Sequence, residues 1–354
     1  MDSLKLIILL FFLSSCAKTS YLIEQGFGQM SLLSKAKWND KVLADEKIKE
    51  SDKEKIRKIQ LYKTWFYKFW ERDETRIYSK TTFLEGEAVT WLVIASPFNE
   101  VKALKECFPI MGCFPYLGFF KKESALEYIE EHKKKSNYVY MRPVYAYSTL
   151  GYFTDTILSS FFYYEDFDLS ELIFHELFHT IFFVEDEVEL NENLANYFGK
   201  ELALEYFKLN KLEVDKYHKK LNTQVELNKR VADLVKSYNE HLKTSQITSK
   251  NQADEELSNF LEKKFRPEVK KSCEKLKIEE KFCYPLKREW NNASFAAYLT
   301  YENKLEKIET LRERKNLDLR AFFNYIQSKY EEYEKSSQKE DFSSFLFSEL
   351  DITK

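Results

Sequence analysis

Residues 168–199, DLSELIFHELFHTIFFVEDEVELNENLANYFG, constrain this chain more than any other stretch. His175, Glu176 and His179 form the pattern H-E-x-x-H, and Glu192 follows thirteen residues after the second histidine. On a helix, residues i and i+4 share a face, so both imidazoles can reach one ion while Glu176 leans over its open side. That is the arrangement a zinc hydrolase uses. Asp168 with Glu171 three residues on reads as a capping box that starts the helix. Leu172, Ile173, Phe174, Leu177, Phe178, Ile181, Phe182, Phe183 and Val184 leave it almost no polar face besides the motif, so it is expected to be buried on most sides. Buried imidazoles and a carboxylate need a partner, and a cation supplies one.

Catalytic zinc keeps three protein ligands and a water. Glu192 is the candidate third ligand. On a second helix over 190–209, Glu192, Ala195, Asn196, Gly199 and Ala203 fall on one face, whose small residues would let that helix approach the first closely. Asn196, one turn after Glu192, can orient a ligand from outside the metal shell, or be a surface amide. Glu185, Asp186, Glu187 and Glu189 are further carboxylates in the turn between the helices.

The first fifteen residues carry Lys5, the apolar run LIILLFFL and two serines before Cys16. This reads as a secretory signal, too short to span a bilayer. Leu13-Ser14-Ser15-Cys16 resembles the lipobox of bacterial lipoproteins, in which the cysteine is lipidated and becomes the mature N-terminus. By that resemblance, Ala17 in place of aspartate favours the outer membrane. With Cys16 assigned to lipid, Cys107, Cys113, Cys273 and Cys283 remain, an even number for an oxidising compartment. Proximity suggests Cys107–Cys113 and Cys273–Cys283, though three pairings are possible.

A net charge of -3 with 32% charged residues gives no electrostatic footprint for nucleic acid. Seven glycines and six prolines in 354 residues argue for long helices over an all-β fold. Helical spacing runs from about 20 to 70, with Ile48, Ile56, Ile59, Tyr62, Trp65, Phe66 and Phe69 as the apolar stripe. Residues 89–96 read as a buried strand. A short helix to Glu106, a strand over 114–120, a helix over 123–135 and a strand over 137–144 are expected next, with Pro143 pushing the last to an edge. Such an edge could hold an extended peptide by backbone pairing. From Val214 to Leu242 an apolar stripe runs through a charged helix, a polar break covers 244–251, and Phe295, Tyr298, Leu299 and Leu305 mark a core-facing helix over 290–311. The chain is thus expected to be α+β and mostly α. It divides into a signal (1–15), an N-terminal helical segment (16–85), a zincin-like core with a small β-sheet and a two-helix metal site (86–207), and C-terminal helices packing on that core (208–354).

GFGQMSLL, CFPIMGCFPYLGFF, YAYSTLGYF, FHELFH with NENLANYFG, and WNNASFAAYLTYENKL resemble, in order and spacing, successive motifs of a bacterial family of predicted aminopeptidases. The resemblance covers nearly all of the chain after the signal. It implies a zinc peptidase of the gluzincin kind, binding one Zn2+ through His175, His179 and Glu192, with Glu176 as the base and a peptide as substrate. One departure is Asn196, where thermolysin-like gluzincins carry an aspartate; neutral asparagine raises ligand basicity less. Tyr301, within the last motif, and Tyr147 in competition, are candidate phenols for the oxyanion of the tetrahedral intermediate, against simple packing. Two other classes remain open at this point: a non-enzymatic lipoprotein braced by zinc, and a metallo-endopeptidase or amidase of the cell envelope.

Overall fold

A computed structural model describes residues 20–86, 88–108, 112–145, 155–300, 305–336 and 340–351. Cys16, Tyr147 and Tyr301 lie outside the described residues. The chain is α+β and mostly helical, and it forms two compact units, each drawn from three separate stretches. One comprises Met1–Ser34, Glu85–Tyr147 and Asp215–Thr300; the other comprises Lys35–Leu84, Ser148–Val214 and Tyr301–Lys354. The consecutive division at 85/86 and 207/208 therefore does not coincide with the spatial grouping, because composition changes follow the helices and not their partners.

In the first unit the β-branched run Thr90–Ser96 is the central strand of a three-stranded antiparallel sheet, between Leu117–Phe119 and Tyr138–Val144. Tyr138–Val144 is an edge, and Pro143, opposite Trp91, has no N–H to donate to the ladder. The helix Lys122–Lys134 covers one face through Ala125 and Ile129. Against the sheet also pack Leu227, Val231, Leu234, Val235 and Tyr238 of the helix Lys211–Thr244, with Phe260, Phe265, Trp290 and Phe295 from later helices. Cys107 is bonded to Cys113 and Cys273 to Cys283.

Three local expectations fail here for identifiable reasons. No helix forms between Pro97 and Glu106. Asn292 Nδ2 donates to the carbonyls of Pro97, Phe98 and Glu100 at 3.1, 2.9 and 3.3 Å, and the Val101 N–H donates to Asn239 Oδ1 at 2.7 Å. Tertiary partners thus take the groups that a helix would pair internally. The strand expected over 114–120 is split into Gly112–Phe114 and Leu117–Phe119, with Pro115 in the turn between them. The single helix expected over 290–311 is replaced by Asn292–Thr300 and Leu305–Lys315, which belong to different units.

The second unit carries H-E-x-x-H. Its core joins four helices: Glu50–Phe69, Asp166–Phe178 (the histidine helix), Val188–Phe207 (the glutamate helix) and Leu319–Lys335. Aromatic rings form most of the packing. Phe178 stacks on Phe198 with centroids 4.6 Å apart, Phe66 stacks on Phe174, and Trp70 lies 4.7 Å from Phe323. A small sheet, Lys37–Trp38, Lys80–Thr82 and Ile157–Leu158 in that order, flanks them; Thr81 and Thr82 pair in parallel with Ile157 and Leu158. Among the described residues no helix is long and apolar enough to cross a membrane.

Candidate metal centre

The histidine helix begins at Asp166, three residues before the start that an Asp168 cap with Glu171 suggested, and no side-chain cap bond forms. The cause lies elsewhere in the chain. Lys55 and Lys58 of the helix Glu50–Phe69 reach Asp166 at 2.9 and 2.7 Å and fix the first turn, where a carboxylate also favours the helix dipole. These two ammonium groups hold the Asp166 carboxyl below its usual range. The far end also stops early. His179 is the C-cap, and Thr180 bonds back to the Leu177 carbonyl through both its N–H and its hydroxyl (3.0 and 2.7 Å). Such a hydroxyl competes with continuation of the helix. Phe182 and Val184 are nevertheless buried, in the turn beyond.

That turn is held by a residue the sequence reading overlooked. Asn191, 2% exposed, accepts from the Val184 N–H at 2.9 Å and donates to the Val184 carbonyl at 2.7 Å. It thereby fixes the angle at which the chain enters the glutamate helix, one residue before Glu192. The only hint in the sequence is its place in NENLAN, next to the candidate ligand. Asn191→Ala leaves the Val184 N–H buried without its partner, while the Val184 carbonyl keeps only the Glu187 N–H at 3.4 Å, and is expected to cost about 1–3 kcal/mol of stability, read from urea unfolding.

Gly199 sets the spacing between the two helices. A Cβ there would lie 2.9 Å from the Glu171 carbonyl oxygen, 3.1 Å from His175 N and 3.3 Å from its Cα. The backbones are therefore in contact at the level of His175. This is the close approach that the small face of Ala195, Gly199 and Ala203 predicts.

The contact brings two imidazole nitrogens and one carboxylate together. His175 Nε2 and His179 Nε2 are 3.3 Å apart; Glu192 Oε2 is 3.5 Å from the first and Oε1 is 3.4 Å from the second. Two imidazole nitrogens facing each other at this distance repel unless a proton or a cation lies between them. Donors held tetrahedrally at zinc bond lengths are separated by about 3.3–3.6 Å, a spacing that the two imidazole nitrogens keep from each other and that each keeps from one oxygen of the Glu192 carboxylate. Among the described residues they form the one cluster able to hold a metal. Glu187, a neighbouring carboxylate, instead accepts from the Ser343 N–H at the start of the helix Phe342–Asp351.

The two histidines are oriented differently. His175 Nδ1–H donates to Asn196 Oδ1 at 3.0 Å, which leaves the Nε2 lone pair on the cluster side. His179 Nδ1 is buried without a hydrogen-bond partner among the described residues, so that ring is held by packing and by its Nε2 contact with Glu192 and not from its outer nitrogen. Access is one-sided, with side-chain exposures of 2% for His179, 16% for His175 and 38% for Glu192. Burial raises the carboxyl group of Glu192, but its hydrogen bonds to both imidazoles outweigh this and hold it well below its usual range. Burial lowers the His175 imidazole, yet Glu192, Glu176 and Asn196 together leave it above its ordinary value. The field that favours a proton on His175 equally favours a cation between the rings.

Glu176 is 8% exposed and follows His175 directly. Burial pushes its carboxyl group up, the two histidines pull it down, and the charges of Glu192 and Asp155 raise it further. Tyr78 shares this neighbourhood, its phenol raised by burial and by the charges of Glu176 and Asp155. Its backbone lies in the left-handed region at φ 58°, costly for a bulky residue, and is held there by Tyr78 N–H to the Asp155 carbonyl and by Asn39 Nδ2 to the Tyr78 carbonyl, both 2.8 Å. Nothing in the local sequence signals this.

No curated protein and no solved structure gives a match to the chain. The family described as "putative aminopeptidase" does match, over residues 20–341, a span that contains both metal-site helices. The chain belongs to that family, and its function is of the peptidase type.

Proposed function

We propose that this chain is a zinc-dependent aminopeptidase, anchored through a lipid on Cys16 to the bacterial cell envelope, with the outer membrane facing the periplasm as its place. The observation that carries the reading is the convergence of His175 Nε2 and His179 Nε2, 3.3 Å apart, on the Glu192 carboxylate, whose Oε2 is 3.5 Å from the first and whose Oε1 is 3.4 Å from the second, with Glu176 beside them. His175, His179 and Glu192 would hold one zinc ion per chain. When bound, zinc supplies Lewis acidity toward the scissile carbonyl and acidifies a water. Glu176, whose burial favours the protonated form, would accept a proton at its carboxylate from the attacking water and return it to the leaving amine. Asn196 keeps His175 in the tautomer that presents Nε2. Tyr301, with Tyr147 in competition, is the proposed donor to the developing oxyanion.

A panel of free and N-acetylated peptides tests the activity and its direction. Peptides with a free α-amine are expected to be cleaved one residue at a time, with loss on chelation and recovery on adding zinc, while the acetylated set stays intact. Equal cleavage of both sets would make the enzyme an endopeptidase. Hydrolysis that survives exhaustive chelation would contradict the zinc reading.

A further inference from the structure

The helix over 20–34 has two unlike faces. One docks on the sheet of its unit. Tyr21 lies 5.4 Å from Phe108 and 5.3 Å from Phe119, and its hydroxyl donates to the Gly118 carbonyl at 3.0 Å. Gly28 sits against the ring of Phe120, where an added Cβ would lie 2.2 Å from ring carbons. Glu24, the one charged residue of the helix, turns to this side, accepting from the Lys121 N–H and the Ser124 hydroxyl. The opposite face presents Leu22, Ile23, Phe27 and Met30, at 36%, 53%, 73% and 60% exposure. Ile23, Phe27 and Met30 stand at i, i+4 and i+7, and Gly26 between them has open space around it. No charge interrupts this stripe. Water is a poor solvent for such a surface, and contiguous apolar faces of this kind mark sites of contact with an apolar phase or partner.

We propose that this face inserts into the surface of a phospholipid bilayer, so that the helix lies in the membrane plane with Leu22, Ile23, Phe27 and Met30 among the acyl chains. The proposal rests on the lipid-anchor reading of Cys16 and is independent of the peptidase reading. What selects the bilayer as occupant is distance. The described part of the helix begins at Ser20, four residues after Cys16 in sequence, and extended backbone spans at most about 3.3–3.6 Å per residue, so a lipid on that cysteine holds the first described turn within about 14 Å of its point of insertion. A face that is apolar, uncharged and tethered this close has the membrane as its nearest apolar phase. It would add a second anchoring element to the first.

The test uses the chain from Ala17 onward, which keeps every described residue and lacks both the lipid and the apolar run LIILLFFL. Flotation with vesicles of phosphatidylethanolamine and phosphatidylglycerol is expected to carry this protein upward, and high salt is expected not to release it, because the face has no charge. The pair Phe27→Ser with Met30→Ser is expected to lower the partition coefficient by about tenfold or more. Failure of the unsubstituted protein to float, or equal flotation of the paired variant, would overturn the proposal. So would a dimer, seen by sedimentation without vesicles, that the same pair disperses, since the face would then belong to a second copy. Zinc content and peptide hydrolysis, measured on both proteins, are expected to be equal. Their absence with flotation intact would remove the peptidase reading and leave this one standing.

Discussion

Glu176→Gln is expected to retain zinc at the wild-type stoichiometry while turnover falls by about 10²–10⁴-fold, the usual contribution of a positioned general base. The amide keeps the shape of the side chain in a nearly closed position (8% exposed) but cannot take a proton. The proposed ligand atoms sit on His175, His179 and Glu192, so in this account the ion has no reason to leave. Stability should change little or rise, since a buried carboxylate raised by desolvation and by the charges of Glu192 and Asp155 is replaced by a neutral group. Metal analysis and steady-state kinetics on one preparation separate the roles. Loss of zinc in this variant would mean that Glu176 is itself a ligand.

Gly199→Ala makes the second large prediction, and here two principles oppose each other. In an exposed helix interior, replacing glycine with alanine stabilises by about 1 kcal/mol. At Gly199 the new methyl would press on backbone, 2.9 Å from the Glu171 carbonyl oxygen and 3.1 Å from His175 N, which cannot rotate away. Overpacking of this kind costs about 1–3 kcal/mol, and it outweighs the propensity gain. Separation of the helices also carries Glu192 and Asn196 away from the histidines, so zinc affinity should fall by about 10–100-fold, the range found when ligand support is disturbed. Urea unfolding and competition with a chromogenic chelator read the two effects. A more stable protein with unchanged affinity would mean that the helices are not held by this contact.

The side-chain cluster of the candidate metal site was legible because its signals are local. H-E-x-x-H needs only one helical turn, and the small face of Glu192, Ala195, Gly199 and Ala203 needs only helical periodicity. What could not be read depended on partners distant in sequence. The start of the histidine helix is decided by Lys55 and Lys58, 111 and 108 residues from Asp166. The irregular path after Pro97 is fixed by Asn292, 195 residues away. The left-handed backbone of Tyr78 is held by Asp155 and Asn39, and the side chain of Asn191 substitutes for backbone pairing at Val184. The interleaving of two units across the chain has the same origin, since composition reports on neighbours in sequence.

The most direct test of the metal centre is zinc content of the chain from Ala17 onward, purified without chelator, in the wild type and His179→Ala side by side. The account predicts about one zinc per chain in the wild type and its loss in the variant, with both proteins folded by circular dichroism. A wild-type protein that binds no zinc even after the ion is added back, or a variant that keeps it, would contradict the assignment of His175, His179 and Glu192 as a zinc site.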